Sequence, residues 1–127
     1  MSVELLASRF VLAVQDLRVS TDFYMNVLGF TRDFGDESDG WSFLSRGSFR
    51  VMIGDCPGIM SAGEVGDHSY FAYINVDNVD ELYSEIVGKG AETISHVSTK
   101  PWGLREFGIK TPDGHRIMFG QTVTQAT

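Results

Sequence analysis

Apolar residues recur along this chain at two periods, and the two alternate in the same order twice. Phe10-Val11-Leu12-Ala13-Val14 is an apolar run of strand length ending at Asp16, whose carboxylate can accept an orphan backbone N–H and so open a helix. Val19, Phe23 and Val27 then fall at i, i+4 and i+8, with Tyr24 and Leu28 beside them and Gly29 as a left-handed exit. This predicts a helix over 17–28. Strands are expected near 30–36, 41–46 and 49–55, divided by Asp39-Gly40 and Arg46-Gly47-Ser48, before a loop rich in Gly and Pro over 56–67.

The second half repeats the order. Tyr70-Phe71-Ala72-Tyr73-Ile74-Asn75-Val76 reads as a strand and Asn78 as a cap, and Val79, Leu82, Tyr83 and Ile86 form a helical stripe closed by Lys89-Gly90. Asp80 and Glu81 in the first turn and Lys89 in the last suit the helix dipole. Strands near 92–98, 104–110 and 115–121 complete the half, the last two joined by Thr111-Pro112-Asp113-Gly114, a turn sequence in which Pro presets one angle and Gly tolerates a positive one. The fold class expected is α+β, two tandem βαβββ modules in one domain: 1–56, a connection over 57–68, then 69–122 and a tail over 123–127.

Composition narrows the function classes. With 127 residues and 43% hydrophobic content the chain can bury one core. The net charge of -7, from 10 basic against 17 acidic residues, opposes nucleic acid and anionic membranes as partners and favours a neutral or cationic small ligand. No apolar run approaches the roughly 20 residues of a spanning helix, and no secretory signal pattern opens the chain, so a cytoplasmic protein is expected. The single Cys56 excludes an intramolecular disulfide and lies in no reactive motif. His68, His96 and His115 show no metal-ligand spacing.

Two features point to a ligand. Trp102, between Pro101 and Gly103, has no periodic reason to be buried, and an exposed indole can stack on a planar group or hold a cation against its face. Asp33, Asp36, Glu37 and Asp39 are interleaved with Phe34 and Trp41, a pattern that can attract and then stack a positively charged aromatic molecule; for Glu37 and Asp39, which belong to a turn sequence, a solvated turn is the better account. Glu106 joins them if the 111–114 hairpin carries a bulge; otherwise Phe107 takes its place.

The run Val14-Gln15-Asp16-Leu17, Phe23-Tyr24 and Leu28-Gly29-Phe30, with Pro101-Trp102-Gly103 ahead of Thr111-Pro112-Asp113-Gly114 and the doubled βαβββ order, resembles the vicinal oxygen chelate superfamily. That superfamily holds glyoxalase I, extradiol dioxygenases and bleomycin resistance proteins. Lys100 to Phe107 and Phe30 to Phe34 are most similar to the bleomycin resistance branch. The resemblance implies curved mixed sheets around a cup, a homodimer, and drug binding in grooves between subunits. It also places the superfamily's metal ligands at Arg9, Ile53, Phe71 and Met118, none of which is an ordinary donor for a divalent cation. No metal, cofactor or catalytic residue is therefore expected.

On this alignment Phe49, Val51, Ile53, Phe71, Tyr73 and Met118 line the inner wall, although the same side chains would suit a packed core. Phe34 matches an aromatic of the family's groove, and Gly54 falls where the groove wall approaches the ligand. The expected function is metal-free sequestration of an aromatic, cationic antibiotic or natural product. The alternatives are a metal-dependent lyase, isomerase or dioxygenase of the superfamily, or a binding protein of natural-product biosynthesis.

Overall fold

The computed structural model describes residues 2–35 and 37–123. The first half contains β1 (Phe10–Val14), α1 (Leu17–Asn26), β2 (Thr31–Phe34), β3 (Trp41–Arg46) and β4 (Phe49–Asp55). The second contains β5 (Tyr70–Asn75), α2 (Val79–Gly88), β6 (Glu92–Thr99), β7 (Leu104–Lys110) and β8 (Arg116–Thr122). Short 3-10 turns occupy Glu37–Asp39 and Ala62–His68. Each half forms one mixed four-stranded sheet, in the orders β1-β4-β3-β2 and β5-β8-β7-β6. The first strand of each lies parallel to the last, so the intervening helix crosses over one face.

The helices begin where their caps dictate. Asp16 Oδ1 accepts the Val19 N–H at 3.2 Å, and Asn78 Oδ1 accepts that of Glu81 at 3.1 Å. A second acceptor comes from the last strand of each half: Asp55 takes the Leu17 N–H at 3.1 Å and Gln121 that of Val79 at 2.9 Å. α1 ends at Asn26 rather than 28, because Val27 and Leu28 both turn their N–H groups back to the Phe23 carbonyl ahead of Gly29 at φ +76°. Its buried face also differs from the expected stripe. Leu17, Ser20, Thr21, Tyr24 and Leu28 face the core, whereas Val19 is 49% exposed. The hydroxyls of Thr21 and Ser42 pair at 2.8 Å, which lets polar residues occupy the interior face.

Register decides which side chains reach the open faces. Leu12 lies beside Ile53 and Phe10 beside Val51, so Phe49, Val51 and Ile53 sit on the helix-covered side with Leu12 and Val14. This corrects the expectation that Phe49, Val51 and Ile53 line the inner wall: all three are buried in the common core. β4 is flanked by β1 and β3, and a change of one residue in register exchanges its two faces completely. Phe71 is also turned away, at a register shift between Tyr70 and Ala72 that aims its ring edge-on at Phe10, 5.5 Å between centroids, and against Phe49 at 6.4 Å.

The pairing of β7 with β8 runs without a shift, with Glu106 opposite Gly120 and Phe107 opposite Phe119. Phe107 and Phe119 stack in the core at 5.3 Å, and Glu106 takes the other face. The hairpin itself carries the bulge on which this placement of Glu106 is expected to depend: the Gly114 N–H closes the turn on the Thr111 carbonyl, Gly114 takes φ +89°, and Thr111 pairs with His115. Leu12, Tyr24, Leu44, Ile53, Ile86, Phe107, Ile109 and Ile117 belong to one core cluster that spans both halves. No helix among the described residues is long and apolar enough to cross a membrane.

Candidate ligand-binding site

Each sheet carries its helix on one face and leaves the other uncovered by it, and the uncovered faces hold most of the residues singled out by sequence. On the first sheet, β3 pairs Trp41 with Gly54 and Phe43 with Met52, so these four share the open face. Phe34 stacks on Phe43 with centroids 4.3 Å apart and planes 20° from parallel. The Arg9 guanidinium lies 5.3 Å from the Phe34 centroid and 5.7 Å from that of Phe43. Asp33 receives Arg9 at 3.4 Å and the Ser45 hydroxyl at 2.9 Å. Its charge is thus balanced within the face.

Trp41 owes its position to a missing side chain. A Cβ on Gly54 would lie 3.0 Å from the indole, so glycine lets the ring settle close against β4 without pressing on a side chain. The second sheet repeats the arrangement: a Cβ on Gly120 would fall 1.8 Å from the Tyr73 hydroxyl, and one on Gly108 would lie 2.7 Å from the Met118 sulfur. Tyr73 donates to Glu106 at 2.7 Å, and Glu106 is only 7% exposed. Partial burial, and then this carboxylate, push the Tyr73 phenol up to about 12. The phenol therefore stays a proton donor throughout the neutral range and holds Glu106 in place.

Asp33, Phe34, Trp41 and Gly54 thus meet on one face, and Tyr73, Glu106 and Met118 on the other. Trp102 stands 66% exposed at the tip of the β6–β7 hairpin, where Gly103 at φ +87° turns the chain. Asp36 lies outside the described residues. Phe49, Ile53 and Phe71 are not part of either face. Sequence reasoning passed over Phe43, although its i, i+2 spacing from Trp41 places it on the same side of a strand. Met52, Gly108 and Gly120 were missed too; the glycines inside strand patterns were the available signal.

The open faces of the first and last strands of each half carry Val11, Ala13, Met52 and Gly54, then Tyr73, Met118 and Gly120, with Arg9 just ahead of β1. Among the described residues no three His, Cys, Asp or Glu side chains converge as a metal site. This donor set does not suit a hard or borderline divalent cation. The histidines lie apart: His68 is exposed, His96 pairs with the Tyr83 hydroxyl at 2.8 Å, and His115 presents its ring edge to Phe71 at 5.7 Å.

Residues 7–119 match the family model of the glyoxalase/bleomycin resistance protein/dioxygenase superfamily. No curated protein sequence matches the chain. Among solved structures, the bleomycin-binding protein of bleomycin-producing Streptomyces verticillus, complexed with copper(II)-bleomycin, is 26% identical at a TM-score of 0.69, covering 98% of this chain and 100% of that one. TioX from Micromonospora sp. ML1 is 24% identical at 0.71, covering 96% and 100%. A glyoxalase/bleomycin resistance protein/dioxygenase from Alicyclobacillus acidocaldarius is 16% identical at 0.78, covering 93% and 92%. The chain belongs to the glyoxalase/bleomycin resistance protein/dioxygenase superfamily.

Proposed function

We propose that this protein is a homodimeric, metal-free binding protein that sequesters a flat aromatic, cationic small molecule without changing it chemically. The observation that carries this reading is the aromatic floor of the first sheet, where Trp41 lies against Gly54 beside the stacked Phe34 and Phe43. Such a surface binds planar molecules by stacking and by removing apolar area from water. Glu106, held by Tyr73, supplies the matching anion on the second sheet, and Trp102 extends the aromatic surface at the hairpin tip. Asp33, already neutralised by Arg9, orients that arginine rather than recruiting a cation.

The likeness to a bleomycin-binding protein over nearly the full length of both chains supports a glycopeptide or similar natural product as the ligand class. Val11 at 62%, Phe34 at 56% and Tyr73 at 40% exposure leave apolar surface on both faces. A second copy that brings its second sheet opposite the first sheet of this one would enclose that surface as a cup. Sequestration then lowers the free ligand by mass action alone.

The chain has two tryptophans, so fluorescence reports on both parts of the site. Titration with bleomycin and with other flat cationic antibiotics is expected to quench the emission to saturation at one ligand per cup. Trp102→Ala is expected to weaken the affinity by about fivefold, in line with the loss of one aromatic contact. Stoichiometric retention of nickel, zinc, manganese or iron after desalting overturns the reading in favour of a metal-dependent enzyme, and unchanged emission with every flat ligand removes the aromatic site.

A further inference from the structure

A cavity also lies away from the open faces. It is a cleft of about 560 Å³ on the other side of the sheets, between the β3–β4 hairpin of the first half and β5 and α2 of the second. That volume falls within the roughly 300–1,000 Å³ typical of small-molecule sites. Leu28, Phe30, Phe49, Ile74 and Phe119 form its apolar floor. Its rim is charged: Asp77, Glu81 and Glu85 from the second half face Arg46 from the first.

Arg46 is fully engaged at this rim. Its guanidinium donates to both oxygens of Glu85, at 2.7 and 3.2 Å, and to the Leu28 carbonyl at 2.9 Å. Glu85 is correspondingly held below the usual carboxylate range by that hydrogen bond. Asp77 and Glu81 take part in none of the described ion pairs, so the mouth keeps a negative excess above an apolar pocket. An entering carboxylate would have to break the Arg46–Glu85 pair while approaching two further acids. An ammonium meets neither obstacle.

We propose that this cleft is a second ligand site, separate from the open faces, for an amphipathic amine: an apolar body seated on Phe30, Phe49 and Phe119 with its ammonium at Asp77 and Glu81. The pairing of chemistry is direct, because apolar area leaves water inside the cleft while the cation stays at a hydrated anionic rim.

The test is a two-dimensional amide NMR titration of the full chain with n-octylamine, n-octanoate and n-octanol. Octylamine is expected to saturate shifts at Ser48, Asn75 and Val76, and octanoate to bind at least about fivefold more weakly, the scale of exposed charge pairs. Glu81→Gln keeps a side chain able to reach Asn78 and is expected to weaken octylamine about two- to fivefold at low salt. Ser48→Trp, an exposed hairpin position, is expected to plug the mouth and abolish saturation while the spectrum stays dispersed. Octanoate binding as tightly as octylamine overturns the proposal, as do octylamine shifts confined to Gly54 and Gly120 on the open faces. Saturation unaffected by Ser48→Trp overturns it as well. None of these results bears on antibiotic binding at the open faces, which Trp fluorescence reads independently.

Discussion

Three glycines do more to shape the open faces than any of the charged residues around them. Gly54, Gly108 and Gly120 leave room for Trp41, Met118 and Tyr73 to lie against their strands; a methyl would overlap Tyr73 at Gly120, and would press on Trp41 at Gly54 and on the flexible Met118 end at Gly108. Gly120→Ala is the harshest, since the added carbon would displace the Tyr73 hydroxyl from Glu106. The Tyr73 phenol provides a direct readout of this contact. The component of the absorbance near 295 nm that is lost in Tyr73→Phe, among four tyrosines, is expected to titrate at about 12 in the native protein. In Glu106→Gln it should move down toward the ordinary value of 10.0, stopping short of it because partial burial is the larger cause. Linkage fixes the sign for stability: a phenol with a raised folded value stabilises fully below pH 10, and that contribution is lost as the pH climbs toward 12. An unchanged titration in Glu106→Gln would mean that the carboxylate is not held as described.

At the scale of elements, both crossover helices start from two side-chain acceptors, one local and one delivered by the last strand of the same half. Asp16 and Asp55 serve α1, and Asn78 and Gln121 serve α2. The local caps are written in the chain and were readable there. The strand-end acceptors were not, because Asp55 and Gln121 reach the helices only once β4 lies parallel to β1 and β8 to β5. Asp16→Ala and Asn78→Ala are each expected to lower stability in urea unfolding by about 1 kcal/mol, the usual value of an N-cap. Asp55→Ala should cost a similar amount by leaving a different first-turn donor, the Leu17 N–H, without its acceptor. If Asp55→Ala were neutral, the strand-to-helix contact would carry no stability and the local cap would suffice.

Besides the shared core and the Arg46–Glu85 pair, polar contacts between the two halves gather near the 111–115 loop. Asp113, 8% exposed, accepts the Gln15 N–H at 3.0 Å and that of Ala62 at 3.4 Å, tying the end of β1 and the connecting segment to the second sheet. Next to it, His115 presents its ring edge to Phe71, which in turn packs on Phe10 from the first half. Burial pushes the His115 imidazole below its ordinary 6.5, against a smaller opposing effect from Asp113. A depressed folded value means a contribution to stability that is complete above pH 6.5 and is lost as the pH falls through the folded value. The melting temperature is therefore expected to drop on going from pH 7 to pH 5, and His115→Gln should flatten that slope. The carboxylates Asp80 and Glu85, both lowered by arginine partners, act in a separate window at more acid pH. Equal slopes in the two proteins would remove His115 as the cause.

Periodicity, caps and turn residues determined the element order and the doubled βαβββ plan, because those signals are local and act within a few residues of chain. They likewise marked Trp102 as an indole without a periodic reason to be buried, and Phe34 and Trp41 as aromatics interleaved with acids. Only the tertiary structure decided which way the strands face. In β4, Phe49, Val51 and Ile53 alternate with Arg50, Met52 and Gly54, so the strand has a more apolar side, but only the pairing of Leu12 with Ile53 places that side against the helix. The bulge at Phe71 and the length of the 111–115 loop act in the same way, setting faces through hydrogen bonds between segments far apart in sequence. The inter-half cleft and its acidic rim have the same origin, since Arg46 and Glu85 become neighbours only after both halves have folded against one core.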